Sequence, residues 1–193
     1  MKRAWIIGIL FMAGCATTPP ASPAAQWFDR LSQHCGRAYE GRLVSNDPAD
    51  SAFAGQRLAM HVGQCGVGEI RIPFQVGSDR SRTWVISRTP AGIRLKHDHR
   101  HQDGSSDSLS MYGGDSRGPG TSVRQEFPAD AESIALFTAQ DRRVSNANVW
   151  AVEVGDHVFA YELRRPPGPA ARFFRIEFDL GRPVAPPPPP WGG

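Results

Sequence analysis

Hydrophobic and polar residues alternate with a period of two along most of the chain. Ile70, Ile72, Phe74 and Val76 alternate with Glu69, Arg71, Pro73 and Gln75. Phe174, Ile176, Phe178 and Leu180 alternate with Arg175, Glu177 and Asp179, and Leu58, Met60 and Val62 with Ala59 and His61. Successive strand side chains point to opposite faces, so this pattern predicts strands with one apolar face. Similar stretches place further strands at 82–88, 93–101, 109–112, 123–127, 149–154 and 158–164. Residues 38–46 and 57–65 read as a hairpin joined through Asn46-Asp47-Pro48-Ala49-Asp50. Pro73 lacks an N–H for the ladder, so its strand is expected at an edge or beside an interruption. Turn chemistry separates the strands, as at Thr89-Pro90-Ala91-Gly92, Gln102-Asp103-Gly104 and Gly155-Asp156.

Two segments break the alternation. Trp27, Phe28 and Leu31 have helical spacing, and Asp130 is placed to cap a second helix that ends near Asp141, with Ile134 and Phe137 on one face. The expectation is an all-β fold: an antiparallel meander of about ten strands closing into a barrel, with a short N-terminal helix and one helix before the last strands. The 193 residues suffice for one domain. Their 20 Gly and 17 Pro suit a turn-rich fold better than a helical bundle. This layout resembles the calycin plan shared by lipocalins, without their signature strings. The body also resembles a group of uncharacterised bacterial secreted proteins, through Arg94–His101, Met111–Asp115, Arg124–Asp130 and Asn148–Glu153. That resemblance implies no mechanism.

The chain opens with Met1-Lys2-Arg3, nine uncharged residues from Ala4 to Met12, and then Ala13-Gly14-Cys15. The apolar run is too short for a permanent membrane span and fits a signal peptide. Met12-Ala13-Gly14-Cys15 resembles the lipobox of bacterial lipoproteins, with Met12 in place of the usual Leu. The resemblance implies cleavage before Cys15 and acylation of that cysteine. The partner would be a lipid bilayer, and Ala16 after the cysteine implies the outer membrane, periplasmic face. A plain secretory signal is the alternative. Residues 15–26 read as a Pro/Ala/Thr-rich tether, 27–184 as the barrel domain and 185–193 as a polyproline tail. The tail is expected to lie outside the fold, either unstructured or as a ligand for an aromatic groove on a partner.

Charge adds little to this. Without Lys2 and Arg3 the chain carries 20 basic and 19 acidic residues. Its apparent basicity is therefore no argument for nucleic acid as a partner. The three cysteines are informative. With Cys15 assigned to lipid, Cys35 and Cys65 remain, and the hairpin register places them at one end, where an oxidising compartment would pair them.

His97, His99 and His101 share one strand face with Ile93 and Leu95, while Lys96, Asp98 and Arg100 point the other way, to an expected solvated face. The histidines then face the interior or its rim. Imidazoles ligate zinc and copper. Neighbouring members of the trio lie roughly 6.6 Å apart and the outer two roughly 13 Å. A metal site would therefore use one adjacent pair plus His61, Glu126 or His157. The alternative is a set of polar residues hydrogen-bonding within a wet interior. Gly114-Asp115-Ser116 sits mid-chain, away from the strand-to-helix context a nucleophile needs. Asp103, Asp107 and Asp115 in a Gly/Ser-rich stretch read as a solvated loop rather than a hard-cation site. No catalytic set is recognisable. The leading expectation is a membrane-anchored barrel that binds a small apolar or amphipathic ligand or an envelope partner. A metal-binding protein or metal-dependent enzyme, and a structural envelope lipoprotein, are the alternatives.

Overall fold

The alternating segments form eleven strands in a computed structural model that describes residues 20–193. The leader and Cys15 lie outside the described residues. The strands are β1 (Ala38–Leu43), β2 (Leu58–His61), β3 (Gln64–Cys65), β4 (Glu69–Val76), β5 (Asp79–Thr89) and β6 (Gly92–His99). There follow β7 (Tyr112–Asp115), β8 (Arg124–Pro128), β9 (Val149–Val154), β10 (Val158–Arg165) and β11 (Arg172–Val184). All pairings are antiparallel, in the order β7-β6-β5-β4-β2-β1-β11-β10-β9-β8, with β3 beside β4. The sheet curls into a nearly closed barrel.

Isolated backbone hydrogen bonds and the Ser133 side chain, rather than a strand ladder, close the remaining gap, between β7 and β8. Helix α2 (Ala131–Ala139) follows β8 directly, and its buried Ser133 exchanges two hydrogen bonds with Gly113 of β7. The Asp130 N–H donates to the Gly113 carbonyl at 2.9 Å. Gly113 and Gly114 permit this approach. A Cβ on Gly113 would sit 1.9 Å from the Leu95 carbonyl oxygen, and one on Gly114 1.9 Å from that of Pro128.

Several elements depart from the expected pattern for local reasons. The stretch 57–65 splits into β2 and β3, and Pro73 of β4 lies opposite the break, where no ladder donor is needed. The strand expected at 109–112 begins instead at Tyr112, because Met111 adopts a left-handed φ of 58°. Helix α1 (Pro23–Ser32) starts at Pro23 rather than Trp27, capped by the Ser22 hydroxyl, so residues 23–26 belong to the fold and not to a tether. In α2 the buried pair is Ser133 and Phe137, whereas Ile134 is exposed. The tail also departs from expectation. Its Trp191 N–H donates to the Arg80 carbonyl at 3.1 Å, and Arg80 Nη1 donates to the Pro189 carbonyl at 3.0 Å, so the chain end lies against the outside of the barrel.

Inward residues from every long strand make one apolar core. α1 seals one end with Trp27, Phe28 and Leu31; its neighbours Arg88 and Asp156 belong to the end of β5 and the β9–β10 turn. The outer face carries ion pairs. Arg124 and Arg175 both bridge Glu153 and Glu162 across β8, β9, β10 and β11. An apolar inside and a charged outside is the reverse of a membrane-spanning barrel. Among the described residues, no helix is long and apolar enough to cross a membrane.

Cys35 and Cys65 form a disulfide, with Cα atoms 6.2 Å apart. The register that brings them together, Ala38 opposite His61 and Gly41 opposite Leu58, is that of the expected hairpin.

Candidate functional site

At the end opposite α1 the barrel is not filled. A cavity of about 190 Å³ lies among the start of β5, the end of β6, the start of β9 and the start of β11. Its walls are aromatic: Phe74, Trp84, Tyr112, Trp150, Tyr161 and Phe174. Trp84 stacks on Tyr161 with ring centroids 4.5 Å apart and on Phe74 at 4.9 Å. The partly exposed lining marks the mouth. Phe53, on the β1–β2 connection, tilts against Phe174 at 4.9 Å, beneath the Arg82 guanidinium at 5.7 Å from its ring. Buried Asp50 anchors that connection by pairing with Arg172 and accepting from Ser45. Leu109 and Ser145 complete the rim.

His97 and His99 enter from β6, as their parity requires. His97 is 3% exposed. Its Nδ1 lies 3.0 Å from the Tyr112 carbonyl, which only accepts, so Nδ1 carries the proton. Nε2 then accepts from the Tyr161 hydroxyl at 2.7 Å. Burial, reinforced by His99 and Lys96, holds His97 neutral, with its pKa pushed down to about 3. His99 is lowered to about 4 by burial and then by Arg82, and its Nε2 lies 3.1 Å from the Tyr112 hydroxyl. Burial raises Tyr112 to about 12 and raises Tyr161 as well, so both hydroxyls keep their protons. The polar interior is a neutral, internally bonded chain: Tyr161, His97, Tyr112, His99.

The other proposed metal ligands lie elsewhere. β6 ends at His99, and His101 is exposed beyond it. Glu126 pairs with Arg124 and Arg164 on the outer face, and His157 is exposed in the β9–β10 turn. Among the described residues, no three His, Cys, Asp or Glu side chains are grouped to hold a metal ion. Both ring nitrogens of His97 are already bonded. The acidic stretch is likewise spent on local structure. Asp103 and Asp107 accept backbone N–H groups of Ser105 and Leu109, and Asp115 pairs with Arg94. Ser116 Oγ accepts from the Ile93 N–H at 3.1 Å.

The outward side of β6 corrects the expectation of a solvated face. Lys96 is buried beneath the start of α2, where Nζ donates to Asp130 at 2.7 Å and Glu132 at 3.2 Å. Asp98 is buried between Arg71 and Arg100.

Among the described residues the lining contains three arginines, Arg82, Arg142 and Arg172, and no carboxylate. Arg82 pairs with Asp79 and Arg172 with Asp50, both outside the lining. Arg142 has no ion-pair partner among the described residues. Sequence reasoning did not single out these arginines or Phe53: Arg142, Arg172 and Phe53 lie outside the alternating segments, and nothing in the pattern sets Arg82, at the start of the strand expected at 82–88, apart from the other strand arginines. Tyr161 shares inward parity with Phe159, and that signal was available. Comparison of the chain with protein-family models, characterised proteins and solved structures returns no match.

Proposed function

We propose that this protein is a binding protein whose barrel cavity takes a small apolar or amphipathic ligand, and that acylated Cys15 tethers it to the outer membrane. The observation that carries the first part is the aromatic cavity at one end of an otherwise close-packed barrel, with its few polar groups converging on it. A filled barrel would favour a structural role instead. The tether rests on the lipobox resemblance. Cys15 precedes Pro23, the start of α1, by eight residues. Anchorage there would hold the sealed end toward the bilayer and leave the mouth facing the periplasm.

Leu109 at the rim offers the test. Leu109→Trp should block the mouth while leaving the core intact. A panel of small apolar and amphipathic compounds should raise the thermal midpoint of the wild type and leave that of the variant unchanged. Equal shifts in both proteins would place binding elsewhere and contradict the proposal.

A further inference from the structure

We propose that the ligand is a small aromatic carboxylate, a single ring bearing one carboxylate group, with the ring between the aromatic walls and the carboxylate at the arginine-lined mouth. This rests on the reading that the cavity binds a ligand, and adds its chemical class.

Size sets the first limit. A cavity of about 150 Å³ holds one benzene ring, whereas drug-sized ligands occupy about 300–1,000 Å³. At about 190 Å³ the cavity takes one ring and a small substituent. A long acyl chain would leave most of its length outside the mouth.

The walls set the second. The rings of Trp84, Trp150 and Tyr161 offer faces and edges for offset or edge-on packing.

Charge sets the third. Groups left over at the mouth are donors. Arg142 has no ion-pair partner among the described residues. Arg172 gives Nη2 to Asp50, while its Nε has no partner among the described residues. Asn148, also in the lining, accepts from Arg165 at 2.8 Å through Oδ1, which leaves its Nδ2 without a protein partner among the described residues. Arg165 itself, paired across β10 and β11 with Arg172, has no carboxylate partner among the described residues and adds to the positive potential. His97 and His99 bring no negative charge, and among the described residues no acidic side chain lines the cavity. A carboxylate has only acceptors, and its plane matches a guanidinium. A cationic ring would meet this donor set with its charge unopposed, and a neutral alcohol would satisfy only part of it.

Calorimetric titration of the full-length protein in detergent with benzoate, benzyl alcohol, benzylamine and laurate tests this. Benzoate should bind at least about tenfold more tightly than benzyl alcohol, and benzylamine most weakly, as expected for a charged hydrogen bond. Arg142→Gln should narrow the preference for benzoate over benzyl alcohol to about twofold. Arg142 is suited to this because its removal leaves no buried carboxylate unpaired, unlike Arg172, whose loss would strand Asp50. Equal affinities for benzoate and benzyl alcohol, both abolished by Leu109→Trp, would overturn the carboxylate assignment and leave ligand binding in place. Laurate binding more tightly than benzoate would overturn the one-ring limit. Failure of all four at millimolar concentration would overturn both this inference and the binding reading beneath it.

Discussion

His97 is the residue on which the polar interior turns. Its two ring nitrogens are fixed by a carbonyl that only accepts and a hydroxyl that must then donate. Around it stand Tyr112, Tyr161, Trp150 and His99, none of them anionic. The folded chain therefore titrates His97 near pH 3, and the unfolded chain near 6.5. Between those values the unfolded chain binds more protons, so stability falls as pH drops through that window. His97 alone should cost up to about 1.4 kcal/mol for each full unit below 6.5. Denaturant unfolding between pH 7.5 and 4 would measure this, and His97→Gln should make that limb shallower, leaving the share of His99, while lowering stability at pH 7.5. Tyr161→Phe should cost about 1–3 kcal/mol at neutral pH by leaving Nε2 without its donor. Strand parity made the inward orientation of His97 and His99 readable from sequence. Their partners were not readable, because Tyr161 is brought to His97 by closure of the barrel across β9 and β10. Lys96 has the same history: its burial depends on Asp130, thirty-four residues away.

At the scale of elements, the barrel depends on a seam that is not a strand pair. Ser133 supplies to Gly113 the donor and acceptor that a neighbouring strand would have supplied. Ser133→Ala should cost about 1–3 kcal/mol, because the buried Gly113 N–H loses its acceptor, while the Gly113 carbonyl keeps the Asp130 N–H. Faster amide exchange at Gly113 would localise the loss to the seam. Gly114→Ala should be worse, since its Cβ would collide with the Pro128 carbonyl and force β7 from β8. At the other end, the disulfide closes a separation of 30 residues. Reducing it, or replacing both cysteines by serine, should lower stability on the order of 3–4 kcal/mol in the chain-entropy model, measurable as a shift in denaturation midpoint. The hairpin and its cysteines were readable because alternation and turn residues specify register locally. β7 was misplaced because its start depends on the left-handed Met111, a conformation that no periodicity announces. The seam was invisible for the same kind of reason: Ser133 looks like any first-turn serine until β7 is beside it.

The whole molecule is polarised. α1 seals one end with a tryptophan, a phenylalanine and a leucine, and the opposite end carries an aromatic cavity rimmed by arginines. Cys15→Ala should move the protein from the membrane fraction to the soluble fraction, or leave it as an unprocessed precursor. Normal processing with stable membrane attachment would contradict it. The tryptophans report directly on whether the cavity is a container. Trp84 and Trp150 line the cavity, Trp27 is on the buried face of α1 at the sealed end, and Trp191 lies on the outer surface with the tail. Indole N–H resonances followed by two-dimensional NMR during a benzoate titration would distinguish them. Saturable shifts at Trp84 and Trp150, with Trp27 and Trp191 unmoved, are the predicted result. Shifts confined to Trp191, or none at any indole, would contradict the account.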